Sequence, residues 1–202
     1  VGYQFKGAYE PIAGVTDYKP GDEISGSLGF DYSHGSFVYR LSAAGSYYLT
    51  DRQNKVVVFQ NGKQILLQGA VLYTGRRWRV KAEITEIARL KNRNNETGAF
   101  LFETRDSNGN DLRANLEGSW TLARFLTLYG TRYGKTLTAN ANPAGSALYQ
   151  GDAHLVSWGG GIALSLGPYH LDLLATKIGG KAEDKSIDLS AFGVHCAFSA
   201  LF

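Results

Sequence analysis

Four histidines and a scatter of charged residues hold whatever chemistry this sequence can do. His34 sits in "YSHGS", Asp152 precedes His154 by two residues, and His170 precedes Asp172 by two. Residues i and i+2 share a face of an extended chain, so each of these pairs can set a carboxylate beside an imidazole. Such contact orients a histidine for general-base work when a serine stands on its other side. None of the three lies in a nucleophile motif, and "SHGS" reads as a polar turn. The expectation is therefore no catalytic residue and no enzyme. His195, the fourth, reads as a polar filler. The one cysteine, Cys196, has no metal-ligand spacing around it. The glycines of "WGGGIALSLG" fall inside a strand pattern, where they relieve crowding and do not cradle phosphate. No metal and no cofactor is expected. Basic residues are dispersed without an aromatic stacking platform, which argues against nucleic acid.

The charged residues form the second constellation. Lys6, Arg40, Arg79, Lys81, Arg105, Arg113 and Arg132 supply cations; Glu10, Asp31, Glu83, Glu103, Glu117 and Asp172 supply carboxylates. Together with His195, they are expected to share one face of a sheet. Two uses suit them. Fixed cations in a low-dielectric conduit focus potential and gather anionic solutes. Alternatively, acids and bases pair with one another and fill the interior, since an unpaired interior charge is costly. The net charge of +3 does not choose between them.

The elements that would position these residues are strands. Alternation over two residues marks a half-buried strand. It runs through "GYQFKGAYEPI", "EISGSLGFDY", "FVYRLSAAGSYYL", "QILLQGAVLY", "RWRVKAEITE", "DLRANLEGSWTL", "HLVSWGGGIALSL", "HLDLLATK" and "SIDLSAFGVHCAFSALF". In the fifth segment, Ile84, Ile87 and Ala88 also have helical spacing, but clean alternation over 78–85 favours a strand. Asn61-Gly62 and "SNGN" at 107–110 read as hairpin turns; 123–124 and 167–168 read as tight links. Polar stretches at 13–22, 135–152 and 179–186 read as longer loops, and "LTANANPAGSALYQGD" as a lid or constriction. The count is about twelve strands, or ten by a different merge, in a single domain over residues 1–202. "KVVVFQ", 55–60, is too short to span a bilayer, which takes about 9–11 residues of tilted strand. No apolar run approaches the ~18 residues of a membrane helix. A chain opening on Val1 reads as processed or trimmed, so it says nothing about a targeting segment.

Alternation alone cannot say whether the apolar face points to a core or to lipid. Three features favour lipid. The opposite face mixes isolated charges with many Gly, Ser and Ala, as a crowded interior would. Aromatics (Tyr3, Tyr9, Tyr32, Tyr47, Tyr73, Trp78 and Trp120) gather near strand ends on the apolar face, as girdles do. Connection lengths are also asymmetric, with 61–62, 123–124 and 167–168 expected on the short-turn side. The last strand then closes the barrel against the first.

The final strand carries a resemblance. Phe192, Val194, Cys196, Phe198, Ala200 and Phe202 alternate to a terminal aromatic. This resembles the C-terminal signature of bacterial outer-membrane β-barrel proteins. The resemblance implies an all-β, antiparallel transmembrane barrel in the outer membrane. It also implies lipid, lipopolysaccharide and the barrel-insertion machinery as partners. Size and a mildly basic lumen resemble the small channels for acidic oligosaccharides and sialic acid. The implied function is passive diffusion of small hydrophilic solutes, anionic ones included. The last strands are also similar to those of two-partner secretion pores, which makes an export pore the first alternative. Lipid-modifying barrel enzymes, which resemble this architecture, supply the second.

Overall fold

The structure is a computed structural model that describes residues 1–7, 17–95, 98–147, 149–182 and 187–200. Tyr9, Glu10 and Phe202 lie outside these. No helix occurs among the described residues. The strands are β1 (Gly2–Gln4), β2 (Tyr18–Lys19), β3 (Glu23–His34), β4 (Phe37–Tyr48), β5 (Asp51–Gln53), β6 (Val56–Gln60), β7 (Gln64–Thr74) and β8 (Trp78–Arg89). They continue with β9 (Arg93–Asn94), β10 (Leu101–Phe102), β11 (Asp111–Ala123), β12 (Leu126–Leu137), β13 (Ala153–Leu166), β14 (Tyr169–Ala182) and β15 (Ile187–Ala200). Ten form one antiparallel sheet in the order β1-β3-β4-β7-β8-β11-β12-β13-β14-β15. The five short ones form a second sheet, β10-β9-β6-β5-β2.

The expected all-β antiparallel architecture is present, with ten strands in the main sheet. The expected pairing of the last strand with the first is not. Among the described residues β1 meets only Glu23–Ser25 of β3, and β15 meets only β14, so the sheet is open at both edges. The segment with helical spacing is strand β8, paired along its length with β7 and β11. β12 escaped the alternation scan. Glycines and Arg132 break its apolar series, and its strand character is fixed by full-length pairing with β11 and β13.

The two ends of the sheet differ. At one end the links are two or three residues: 35–36, 75–77, 124–125 and 167–168. Gly35 and Gly167 occupy the left-handed region there, with φ of 56° and 62°. At the other end lie 49–63, 90–110 and 138–152, which contain much of the second sheet. Asn61-Gly62 is on this long side, not the short one, and it joins β6 to β7 within a longer connection. Its glycine answers to a close approach: a Cβ there would stand 1.6 Å from the Leu90 carbonyl oxygen. "SNGN" is likewise no hairpin turn but the run into β11. The expected loop at 179–186 is shorter too, because β14 continues to Ala182.

Burial is inverted relative to a water-soluble domain. Among the described residues the buried apolar group is Ile87, while Asp22, Asp51, Gln60, Asn92, Glu103, Asp111 and Asn140 are all buried. These polar groups gather at the long-connection rim. Meanwhile Leu28, Phe192 and Val194 are 79%, 72% and 70% exposed on the sheet.

Candidate functional site

The polar face of the ten-stranded sheet collects most of the charged constellation. Register places Asp31, Arg40, Ala70, Glu83, Asn115, Tyr133 and Ser157 side by side across seven strands. One step toward the short-turn rim lie Lys81, Glu117 and Thr131; the next step holds Arg79, Ser119 and Tyr129. One step toward the long rim lie Thr85, Arg113 and Lys135, followed by Asp111. On β8 this face is the more sheltered one: Lys81, Glu83 and Thr85 are half-buried between exposed Val80, Ala82, Ile84 and Glu86.

Within this face, bases meet acids. Arg40 forks onto Asp31, its Nε and Nη2 donating at 2.9 and 2.7 Å. Lys81 Nζ lies 2.9 Å from Glu83. Arg113 grips Asp111 at 3.0 and 2.6 Å, and Lys135 Nζ approaches the same carboxylate at 3.4 Å. Asp111 is the most deeply buried charged side chain described, with two cations attending it. The amide of Asn115 donates to Glu117 at 2.6 Å. Arg79 makes no ion pair among the described residues. Two hollows open between these groups. One of about 460 Å³ is lined by Arg79, Lys81, Glu117, Ser119, Tyr129 and Thr131. The other, about 310 Å³, is lined by Gln68, Glu83, Thr85, Arg113, Asn115 and Tyr133. Chemically this is a hydrogen-bonding surface of alternating sign.

Eight of the expected site residues share this face: Arg40, Arg79, Lys81, Glu83, Arg113, Glu117, Asp172 and His195. Three stand elsewhere. Lys6 follows β1, outside any strand, donating its backbone N–H to Asp22 at 2.8 Å while its ammonium rests 5.8 Å from the Tyr48 ring. Arg105 lies in the loop before β11. Arg132 is on the opposite, apolar face, between Leu116 and Trp158 in register, with its guanidinium 4.2 Å from the Trp158 ring centroid. The sequence reading missed Asp111, Lys135 and Tyr129. Asp111 stands two residues before Arg113 in the same alternation, which was a legible signal. Lys135 and Tyr129 were hidden with β12.

The histidine pairs dissolve. His170 Nδ1 is 3.0 Å from Ser165 Oγ, the start of a nucleophile–base arrangement. Its nearest carboxylate in sequence, Asp172, instead accepts from the Tyr129 hydroxyl. Tyr129 reaches it by lying over Gly161, where a Cβ would meet the tyrosine ring carbon at 2.6 Å. His154 turns to the apolar face and meets Thr136 Oγ1 at 3.1 Å, while Asp152 stays in the preceding loop. His34 stacks against Tyr32 with ring centroids 6.4 Å apart.

Outside the strands, the long rim is held by carboxylates and amides. Asp22 accepts from the Tyr3 hydroxyl at 2.5 Å and from Lys6 N–H; the tyrosine bond foremost holds its carboxyl below the usual range. Burial would raise Glu103, but N–H groups of Ser107 and Asn92, donating at 2.9 and 3.0 Å, outweigh it and hold this carboxyl low. The loop after β12 docks on the same lattice: Asn140 Nδ2 donates to Ser107 O at 3.1 Å and Gln150 N to Asn140 Oδ1 at 3.1 Å. No family model, no curated protein and no solved structure matches the chain.

Proposed function

We propose that the ten-stranded sheet is the wall of a bacterial outer-membrane β-barrel. Its polar face would line a passage for passive diffusion of small hydrophilic solutes, anionic ones included. One observation carries this reading: the large apolar residues stand exposed on one face while most of the charged residues, several of them paired, gather on the other. Apolar area left in water forfeits about 25 cal/mol per Å², and water-soluble monomers rarely leave apolar patches beyond a few hundred Å². Lipid removes that cost. Other features agree. The nine long strands have 11 to 14 residues, against the ~9–11 a tilted spanning strand requires. Ten alternating strands set β1 antiparallel to β15, the arrangement a closed barrel uses. Aromatics crowd the apolar face beside the short turns: Trp78 stacks on Trp120 and Phe37 leans on Tyr73, each pair 5.0 Å apart between centroids. Such rings suit the membrane interface. Short turns on the periplasmic side and long connections outside complete the orientation.

The paired charges refine the mechanism. Because Arg40, Lys81 and Arg113 are each matched by an acid, they shape and hydrate the passage more than they charge it. Arg79 and the hollow around it supply the anion preference. The test is single-channel recording in planar bilayers, together with Arg79→Glu. Steady conductance with modest anion preference, shifted toward cations in the variant, is the expected result. A chain that stays dispersed in water without detergent sinks the membrane reading. A folded, bilayer-inserted chain that never conducts sinks the passage alone.

A further inference from the structure

The apolar face is not apolar throughout. Toward the long-connection rim, β12 and β14 place three cations on it: Arg132, Lys177 and Lys181. Arg132, Trp158, Lys177 and Phe192 form one register row. Two rows on, four residues along each strand, lie Thr136, His154, Lys181 and Asp188. The row between is small: Gly134, Val156, Gly179 and Ser190. A Cβ on Gly134 or Gly179 would meet nothing within 4 Å, so the floor lies open. The result is a hollow of about 570 Å³, with Trp158 and Lys177 on one bank and Lys181, His154 and Asp188 on the other. At ~3.4 Å per residue the banks stand roughly 14 Å apart. One carboxylate, Asp188, and two ammonium groups line it, while Arg132 stands outside this lining, over the ring of Trp158. Among the described residues none of the three cations forms an ion pair, unlike Arg40, Lys81 and Arg113 on the opposite face.

Cations on a lipid-facing surface need a reason, since a charge there costs about 2–4 kcal/mol at mid-bilayer and less near an interface. We propose that Arg132, Lys177 and Lys181 bind the phosphorylated headgroup of a membrane lipid in the leaflet beside the long-connection rim. This rests on the barrel reading. A phosphate between the banks would take charge-assisted hydrogen bonds from the two ammonium groups, with the Arg132 guanidinium adding positive charge behind Trp158. Acyl chains would run down the face over Phe192, Val194 and Phe198, all exposed. Trp158 is fixed beneath the Arg132 guanidinium and walls the headgroup from the chains.

The experiment uses the full chain in detergent micelles and titrates it with diphosphorylated lipid A, its dephosphorylated form and inorganic phosphate. A Lys177→Gln/Lys181→Gln variant, two exposed positions, is compared alongside. The expected result is binding of the phosphorylated lipid, weakened at least about tenfold by the double variant and by dephosphorylation alike. Arg132→Gln is expected to weaken binding in the same direction. Equal affinity for the two lipids, or an unchanged double variant, overturns the site while leaving the barrel standing. Inorganic phosphate that competes as well as the lipid overturns the lipid assignment and makes the ligand free phosphate. A chain that needs no detergent overturns the barrel and the site together.

Discussion

The wall and the long-connection rim bury opposite things. On the ten-stranded sheet, leucine, valine and phenylalanine stand exposed on one face while most charged groups gather on the other. At the rim, Asp22, Asp51, Gln60, Asn92 and Glu103 are buried, each tied to a neighbour by hydrogen bonds. The wall depends on its surroundings to make its apolar face favourable. The rim supplies its own partners, because backbone ends that would otherwise be orphaned are met by side chains. It repeats one device. Leu49, Leu90 and Thr138 each donate N–H to the carbonyl that follows a glycine, at 2.8, 2.9 and 3.0 Å. The glycines, Gly21, Gly62 and Gly109, each lie so close to that same neighbouring strand that a Cβ would overlap its carbonyl oxygen. One region is therefore ordered by solvent, the other by packing and hydrogen bonds.

The sharpest way to break this contrast is Val194→Arg. In a bilayer it should cost about 2–4 kcal/mol, and in water less than about 0.5 kcal/mol. Urea unfolding of liposome-inserted protein separates the two outcomes, and a negligible cost there removes the lipid-facing assignment. Next comes Gly62→Ala at the rim. With Leu90 O only 1.6 Å from the new carbon, the strand ends must part, at a cost of roughly 2–3 kcal/mol. That loss should be equal in detergent and in lipid, since the rim makes its own contacts.

Acid should weaken the rim. Glu103 has a lowered folded pKa, so its contribution is full above the unfolded value near the ordinary carboxylate range. It fades as pH falls through the lower folded value. Amide protection at Asn92 and Ser107 should drop over that interval in exchange experiments, and Glu103→Gln should flatten the dependence. The smallest effect belongs to Arg40→Ala. Both partners of the Asp31–Arg40 pair are half exposed or more, so the expected loss is too small to resolve in the same urea unfolding. A larger loss would mean that the polar face is drier than its exposure indicates.

Much of this was legible because the strand period is two. Alternation located eight of the nine long strands, ranked the two faces and put Arg40, Lys81, Glu83, Arg113 and Glu117 together. It failed at β12, where Arg132 and two glycines occupy the apolar series. With that strand unread, Arg132 was assigned to the wrong face and Lys135 was not seen beside Asp111. Turn signals misled at Asn61-Gly62 and at 107–110. A glycine needed for a close approach looks the same in sequence as one needed for a left-handed turn.

The sequence alone determined the class of element and the sidedness of eight of the nine long strands, because those depend only on residues two apart. Which strands are neighbours, that both open edges belong to β1 and β15, and that Tyr129 takes Asp172 away from His170 were decided in three dimensions. So was the gathering of His154, Lys177, Lys181 and Asp188 from three strands into one hollow, with Arg132 beside it. These are matters of register between residues 20 to 60 apart, and a period of two carries no information across that distance.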